Sequence, residues 1–167
     1  MNSYDFLLSE ADNLNIITKE KNLYSSDGRI KGNKIAIRKG LTEIEKACVL
    51  AEELGHYHLT VGNILDQTNL NNNKQEHIAR MWSYNKLIGL QGFIDAFEHH
   101  CTNLYDTAEF LGVTEEFLIE TINAYMHKYG SYIKHKEYII EFNFNSVNII
   151  KKILHKKEPV TKDQFHR

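Results

Sequence analysis

Glu52, Glu53 and His56 stand in the stretch LAEELGHYHL, residues 50–59, as E-E-x-x-H. Helical residues four apart project from one face, so Glu52 and His56 could share a metal ion. Glu53, offset to the side, could stand beside a metal-bound water as a general base. Zinc takes imidazole nitrogen and carboxylate oxygen, and a catalytic site keeps three protein ligands and one position for water. The pentad is one residue away from H-E-x-x-H, the zinc-protease helix signature. The same residues also fit a plain amphipathic helix with an acidic, solvated flank. A motif this short arises by chance in roughly a few per cent of chains of this size.

A third ligand is required, and Glu76 on the following helix is the candidate. Its competing role is local, because Asn73-x-x-Glu76 has the form of a capping box. His58, two positions from His56, faces away from it on a helix, and His77 points elsewhere than Glu76. Gly55 lies inside the motif helix, where glycine costs about 1 kcal/mol relative to alanine. Close approach of another backbone would explain its presence.

The elements that must position these groups follow from pattern. Thr42 with Glu45 three residues later is a capping box. It opens a helix expected to run to about Leu59 and to stop near Gly62. Ile44, Ala47, Ala51 and Leu54 form its apolar stripe, with Glu52 and His56 at the stripe's edge. Before it, a short helix is expected over Tyr4–Leu14. The stretch NLYSSDGRIKGNKIAIRKG, with turn signals at Asp27-Gly28 and Gly32-Asn33, predicts two or three short strands. After it come the polar loop LDQTNLNNN and a helix from about Asn73 to Leu90 that continues or restarts through Phe93, Ile94 and Phe97. Two helices follow around a Gly112-Val113 turn, with Thr114 as N-cap and Gly130 as C-cap. The alternation from Tyr138 to Phe144 predicts a half-buried strand.

The bulk composition limits the choice of function. The 167 residues are 42% hydrophobic and 25% charged, the mix of a globular protein able to bury its own core. A formal charge of -2 leaves no strong field to draw the chain to nucleic acid or membrane. Two cysteines, Cys48 and Cys101, do not make a disulfide framework, and Cys48 fits a core position. No signal peptide is read at the N-terminus and no membrane-spanning run elsewhere, so the expected compartment is the cytoplasm. The basic C-terminal residues 151–167 are expected to form a flexible tail.

EKACVLAEELGHYHLTVGNILD, a loop, and KQEHIARMWSY together resemble the ImmA/IrrE family of metallopeptidases. The resemblance is closest to versions found beside repressor genes in phages and mobile elements of Gram-positive bacteria. It takes in IAIRKGLTEIEKA before the helix and AEFLGVTEEFLIETINAY with KYG after it, most of residues 20 to 145. It implies an α+β, mainly helical, zincin-like fold with a small sheet beside the motif helix and a C-terminal helical region. The implied division is a peptidase core over 1–100, a helical hairpin with a strand packed on it over 101–150, and the tail. Glu53 matches the family's catalytic glutamate. His56 matches the second histidine ligand, and Glu76 with Ala79 matches the downstream acidic ligand. Glu52 replaces the first histidine.

The implied activity is metal-dependent cleavage of a helix-turn-helix repressor, which would derepress the element. The Glu52 departure alters the expected chemistry. A Glu52, His56, Glu76 shell is neutral, which weakens a zinc ion as a Lewis acid and favours a harder ion such as manganese. If Glu52 does not ligate, no ion need be bound. The alternative is a catalytically inactive scaffold that binds a repressor without cutting it. Direct DNA binding through Ala108–Gly112 and the next helix is disfavoured, because Glu115, Glu116 and Glu120 would face phosphate. His99, His100 and Cys101 read as helix surface, since adjacent residues rarely converge on one ion.

Overall fold

A computed structural model of the chain describes residues 2–60 and 72–152. The fold is α+β and mainly helical, as expected. The first helix, α1 (Ser3–Asn13), is capped by Asn2, whose side chain accepts from the Asp5 amide at 2.8 Å. Tyr4, Leu7 and Ala11 recur at helical spacing and are all buried.

Strands β1 (Ile17–Lys21), β2 (Gly28–Lys31) and β3 (Lys34–Arg38) form a sheet in the order β1-β3-β2. β3 runs parallel to β1 and antiparallel to β2. The β2–β3 hairpin turns on Gly32, whose φ of 58° suits the first loop position of a type II′ turn. Asp27-Gly28 is not a second turn of this kind, because Gly28 opens β2 itself. The central strand buries Ile35 and Ile37 against α1 and against helix α2 (Glu43–Thr60).

The capping box that starts α2 is formed. The Glu45 amide donates to Thr42 Oγ1 at 3.2 Å, and the Thr42 amide donates to Glu45 Oε2 at 2.7 Å. Ala47, Ala51 and Leu54 are buried with Leu50, whereas Ile44 is 39% exposed at the helix entrance and drops out of the stripe. The stop near Gly62 and most of the Asn-rich loop lie outside the described residues.

The expected helix after that loop is two. α3 (Asn72–Leu87) stops before Ile88, the N-cap from which α4 (Gly89–Glu98) restarts. α5 (Leu104–Leu111) and α6 (Glu115–Tyr129) form the predicted hairpin. Thr114 Oγ1 accepts from the Phe117 amide at 3.1 Å, and Gly130 caps the far end.

The single expected strand proves to be the centre of a second antiparallel sheet. β4 (Tyr132–His135), β5 (Tyr138–Asn143) and β6 (Ser146–Lys151) follow one another in space as in sequence. The alternation held for Tyr138, Ile140 and Phe142, which are buried, but Phe144 lies beyond the strand and is 77% exposed. β6 claims the region up to Lys151, and the tail from residue 153 lies outside the described residues.

Two apolar cores result. One joins α1, the first sheet and α2. The other joins α3 to α6 with the second sheet, around Phe93, Ile122, Tyr125 and Phe142. Cys48 of α2 packs into the second core, so α2 is shared between them. No helix among the described residues is long and apolar enough to cross a membrane.

Candidate functional site

Two glycines set how closely the walls of the site can approach. A methyl group on Gly55 of α2 would lie 2.4 Å from the carbonyl oxygen of Ala79 on α3. Nothing larger than hydrogen fits, and this is the close backbone approach that offsets the helical cost of Gly55. The contact sets His56 beside Glu76. On the other side, a Cβ on Gly28 of β2 would meet Glu53 Oε1 at 2.5 Å and Val49 Cγ1 at 2.6 Å. Gly28 is therefore present for space, so that β2 can pass over the motif helix.

Between these contacts lies a cleft of about 550 Å³, walled by α2, α3, β2 and the start of α6. Glu52, Glu53, His56 and Glu76, all four residues singled out from the sequence, line it. Glu76 is not a helix cap. Asn73 already lies inside α3, and the Glu76 carboxylate turns instead to His56 and to Arg80. His56 Nε2 is 3.3 Å from Glu76 Oε2. Two ligands of one tetrahedral zinc ion stand roughly 3.3–3.5 Å apart, given bonds near 2.0–2.2 Å.

Burial shifts the two glutamates of the pentad. The Glu52 carboxyl is pushed up to about 7 by burial first; Arg80 lowers it, while Glu120, Glu76 and Glu116 add to the rise. Glu53 also rises to about 7, by burial and then by the charge of Glu52. The backbone N–H of Ile30 donates to the Glu53 carboxylate and limits that rise. A carboxyl that titrates near neutrality can both take and return a proton. Cys48 also lines the cleft, but burial lifts its thiol to about 11, so it stays protonated and is a poor nucleophile.

Two cleft residues, Arg80 and Glu120, and the buried Tyr84 behind them escaped the reading of the sequence in this role. Arg80 sits one turn beyond Glu76, and its Nε donates to Glu76 Oε1 at 2.8 Å. Its Nη1 lies 3.4 Å from Glu120 Oε2, across the cleft on α6. Tyr84 donates its hydroxyl proton to the same Glu120 oxygen at 2.9 Å. The i, i+4 spacing of Glu76 and Arg80 was a usable signal. The partnership with Glu120, forty residues away, had none.

The profile of a peptidase family described as the IrrE N-terminal-like domain matches residues 10–123. The chain belongs to the IrrE N-terminal-like family. The match spans every cleft-lining residue, from Ser26 to Glu120. No curated protein matches the chain.

Membership in the IrrE N-terminal-like family raises the question of whether these residues suit a metal ion. His56 and Glu76 stand at the spacing of two ligands. Among the described residues no three His, Cys, Asp or Glu side chains are grouped closely enough to hold an ion. His99, His100 and Cys101 form no such group either; His99 stacks on Phe110 at 4.5 Å. Among the described residues the cleft thus presents His56 and Glu76 as a pair at ligand spacing. The cleft's own groups include a carboxyl raised towards neutrality at Glu53 and a guanidinium paired with Glu76 and Glu120 at Arg80.

Proposed function

We propose that this peptidase-family chain holds a segment of a helix-turn-helix repressor in the cleft between α2, α3, β2 and α6 and does so without cutting it. The observation that carries the reading is the unclosed ligand set. With Glu52 in the first ligand position, His56 and Glu76 have no third group close enough among the described residues, and a catalytic zinc site keeps three protein ligands. The acidic cleft lining suits a basic stretch of polypeptide. In this reading the partner is a protein, bound without direct nucleic-acid or membrane contact, and the site of action is the cytoplasm.

The second reading is a metal-dependent endopeptidase that cleaves the same repressor with zinc or manganese on Glu52, His56 and Glu76 and Glu53 as base. The 3.3 Å spacing of His56 and Glu76 and the near-neutral Glu53 favour it. The deciding experiment is co-incubation with the repressor encoded next to the gene, with and without chelator, read by intact mass and by size-exclusion chromatography. A stable complex with both chains at full mass is the expected result. Discrete repressor fragments that vanish with chelator and in Glu53→Gln would overturn it in favour of the endopeptidase.

A further inference from the structure

Arg80 is the cleft residue that the E-E-x-x-H motif leaves unexplained. Among the described lining residues it is the one permanent cation, against seven carboxylates. Its guanidinium spans the cleft from Glu76 of α3 to Glu120 of α6. The negative charges of Glu52 and Glu120 further stabilise its protonated form. We infer that Arg80 is the built-in cation of this cleft, standing in for a metal ion and keeping divalent ions off Glu52, His56 and Glu76.

Charge balance supports the assignment. A carboxylate at position 52 in place of a neutral imidazole adds one negative charge to a half-buried cluster. Carboxylates partly withdrawn from water are stabilised by a counter-charge, and Arg80 supplies one positive charge from the adjacent helix. The guanidinium also suits the task geometrically. Its planar fork of five N–H donors can serve two carboxylates at once, and here it does so at 2.8 Å and 3.4 Å. A divalent ion placed against His56 and Glu76 would meet this fixed charge across a single carboxylate, at short range and partly shielded from water.

The rival role for Arg80 is an outer support that orients Glu76 as a metal ligand, as partners of ligating carboxylates commonly do. The two roles predict opposite effects of removing the charge. Support for Glu76 would mean that ion binding weakens without Arg80, whereas a stand-in cation means that it strengthens.

The test is titration of the full chain with Co²⁺, read by visible absorption, with His56→Ala in each background to isolate binding in the cleft. The wild type is expected to show no saturable, His56-dependent signal. Arg80→Gln is expected to gain one, with affinity higher on the order of tenfold or more. Arg80→Lys, which keeps the charge, should behave as the wild type does. One His56-dependent equivalent in the wild type, lost in Arg80→Gln, would overturn the inference. So would a folded Arg80→Gln that gains nothing, or an Arg80→Lys that gains as much as Arg80→Gln. If Arg80→Gln fails to fold, Arg80→Met, which keeps the apolar stem, takes its place. The outcome does not depend on which partner the cleft holds, so it is separable from the repressor experiment.

Discussion

Replacing Glu53 by glutamine should stabilise the protein at pH 8 and leave it nearly unchanged at pH 4.5. In the folded state this carboxyl titrates near 7, against an ordinary value of 4.5. Between those values the folded state binds a proton that the unfolded chain has already lost. The associated stability is therefore fully present below about pH 4.5 and disappears as pH rises through about 7. The full shift corresponds to a ceiling of about 3 kcal/mol. Glu53 lines an open cleft and titrates together with Glu52, so solvent screening and coupling reduce the expected difference to about 1–2 kcal/mol. Glutamine keeps an oxygen to accept from the Ile30 amide and removes only the charge. Urea denaturation of wild type and Glu53→Gln at pH 4.5, 6 and 8 measures the effect. The ion pairs elsewhere, such as Lys151 with Glu98, contribute equally to both proteins and cancel in the comparison. The same stability difference at all three pH values, or a Gln variant that is less stable at pH 8, would show that Glu53 is not a buried acid pushed towards neutrality.

Two further outcomes concern the scaffold. Gly55→Ala places a methyl group against the Ala79 carbonyl oxygen; helices α2 and α3 must separate, at a cost of about 1–3 kcal/mol, and the histidine NMR shifts of His56 should move as it parts from Glu76. Thr42→Ala removes one half of the capping box that starts α2; a loss of about 1 kcal/mol in chemical denaturation is expected, with the environment of Glu53 and His56 unaltered because both lie more than two turns downstream.

Much of this was readable because it is local. A capping box needs only Thr42 and Glu45, and both of its bonds form. The glycine inside the motif helix signalled a close neighbour, and that neighbour is Ala79. The hairpin at Gly32-Asn33 and the alternation of Tyr138, Ile140 and Phe142 are short-range patterns with direct physical readings. The competing local role of Glu76, a capping box with Asn73, is not taken up, because Asn73 already lies inside α3 and Glu76 pairs with His56 and Arg80. β4 and β6 are edge strands that alternate only between exposed and half-buried residues, so their pattern is weak in the sequence, and each is defined by its hydrogen bonds to β5.

By itself the sequence determined which groups share a helical face: Glu52 with His56 on α2, and Glu76 with Arg80 on α3. A turn of helix is the same wherever it is placed. Tertiary structure alone decided which faces meet. Packing Gly55 on Ala79 brought His56 to 3.3 Å from Glu76, and folding α6 against α3 brought Glu120 to Arg80. Whether four acids and a histidine become a metal centre or a charge-paired binding cleft depends on where the one guanidinium comes to rest. Its reach across the cleft is set by helix packing, because the contact that anchors it joins residues forty positions apart.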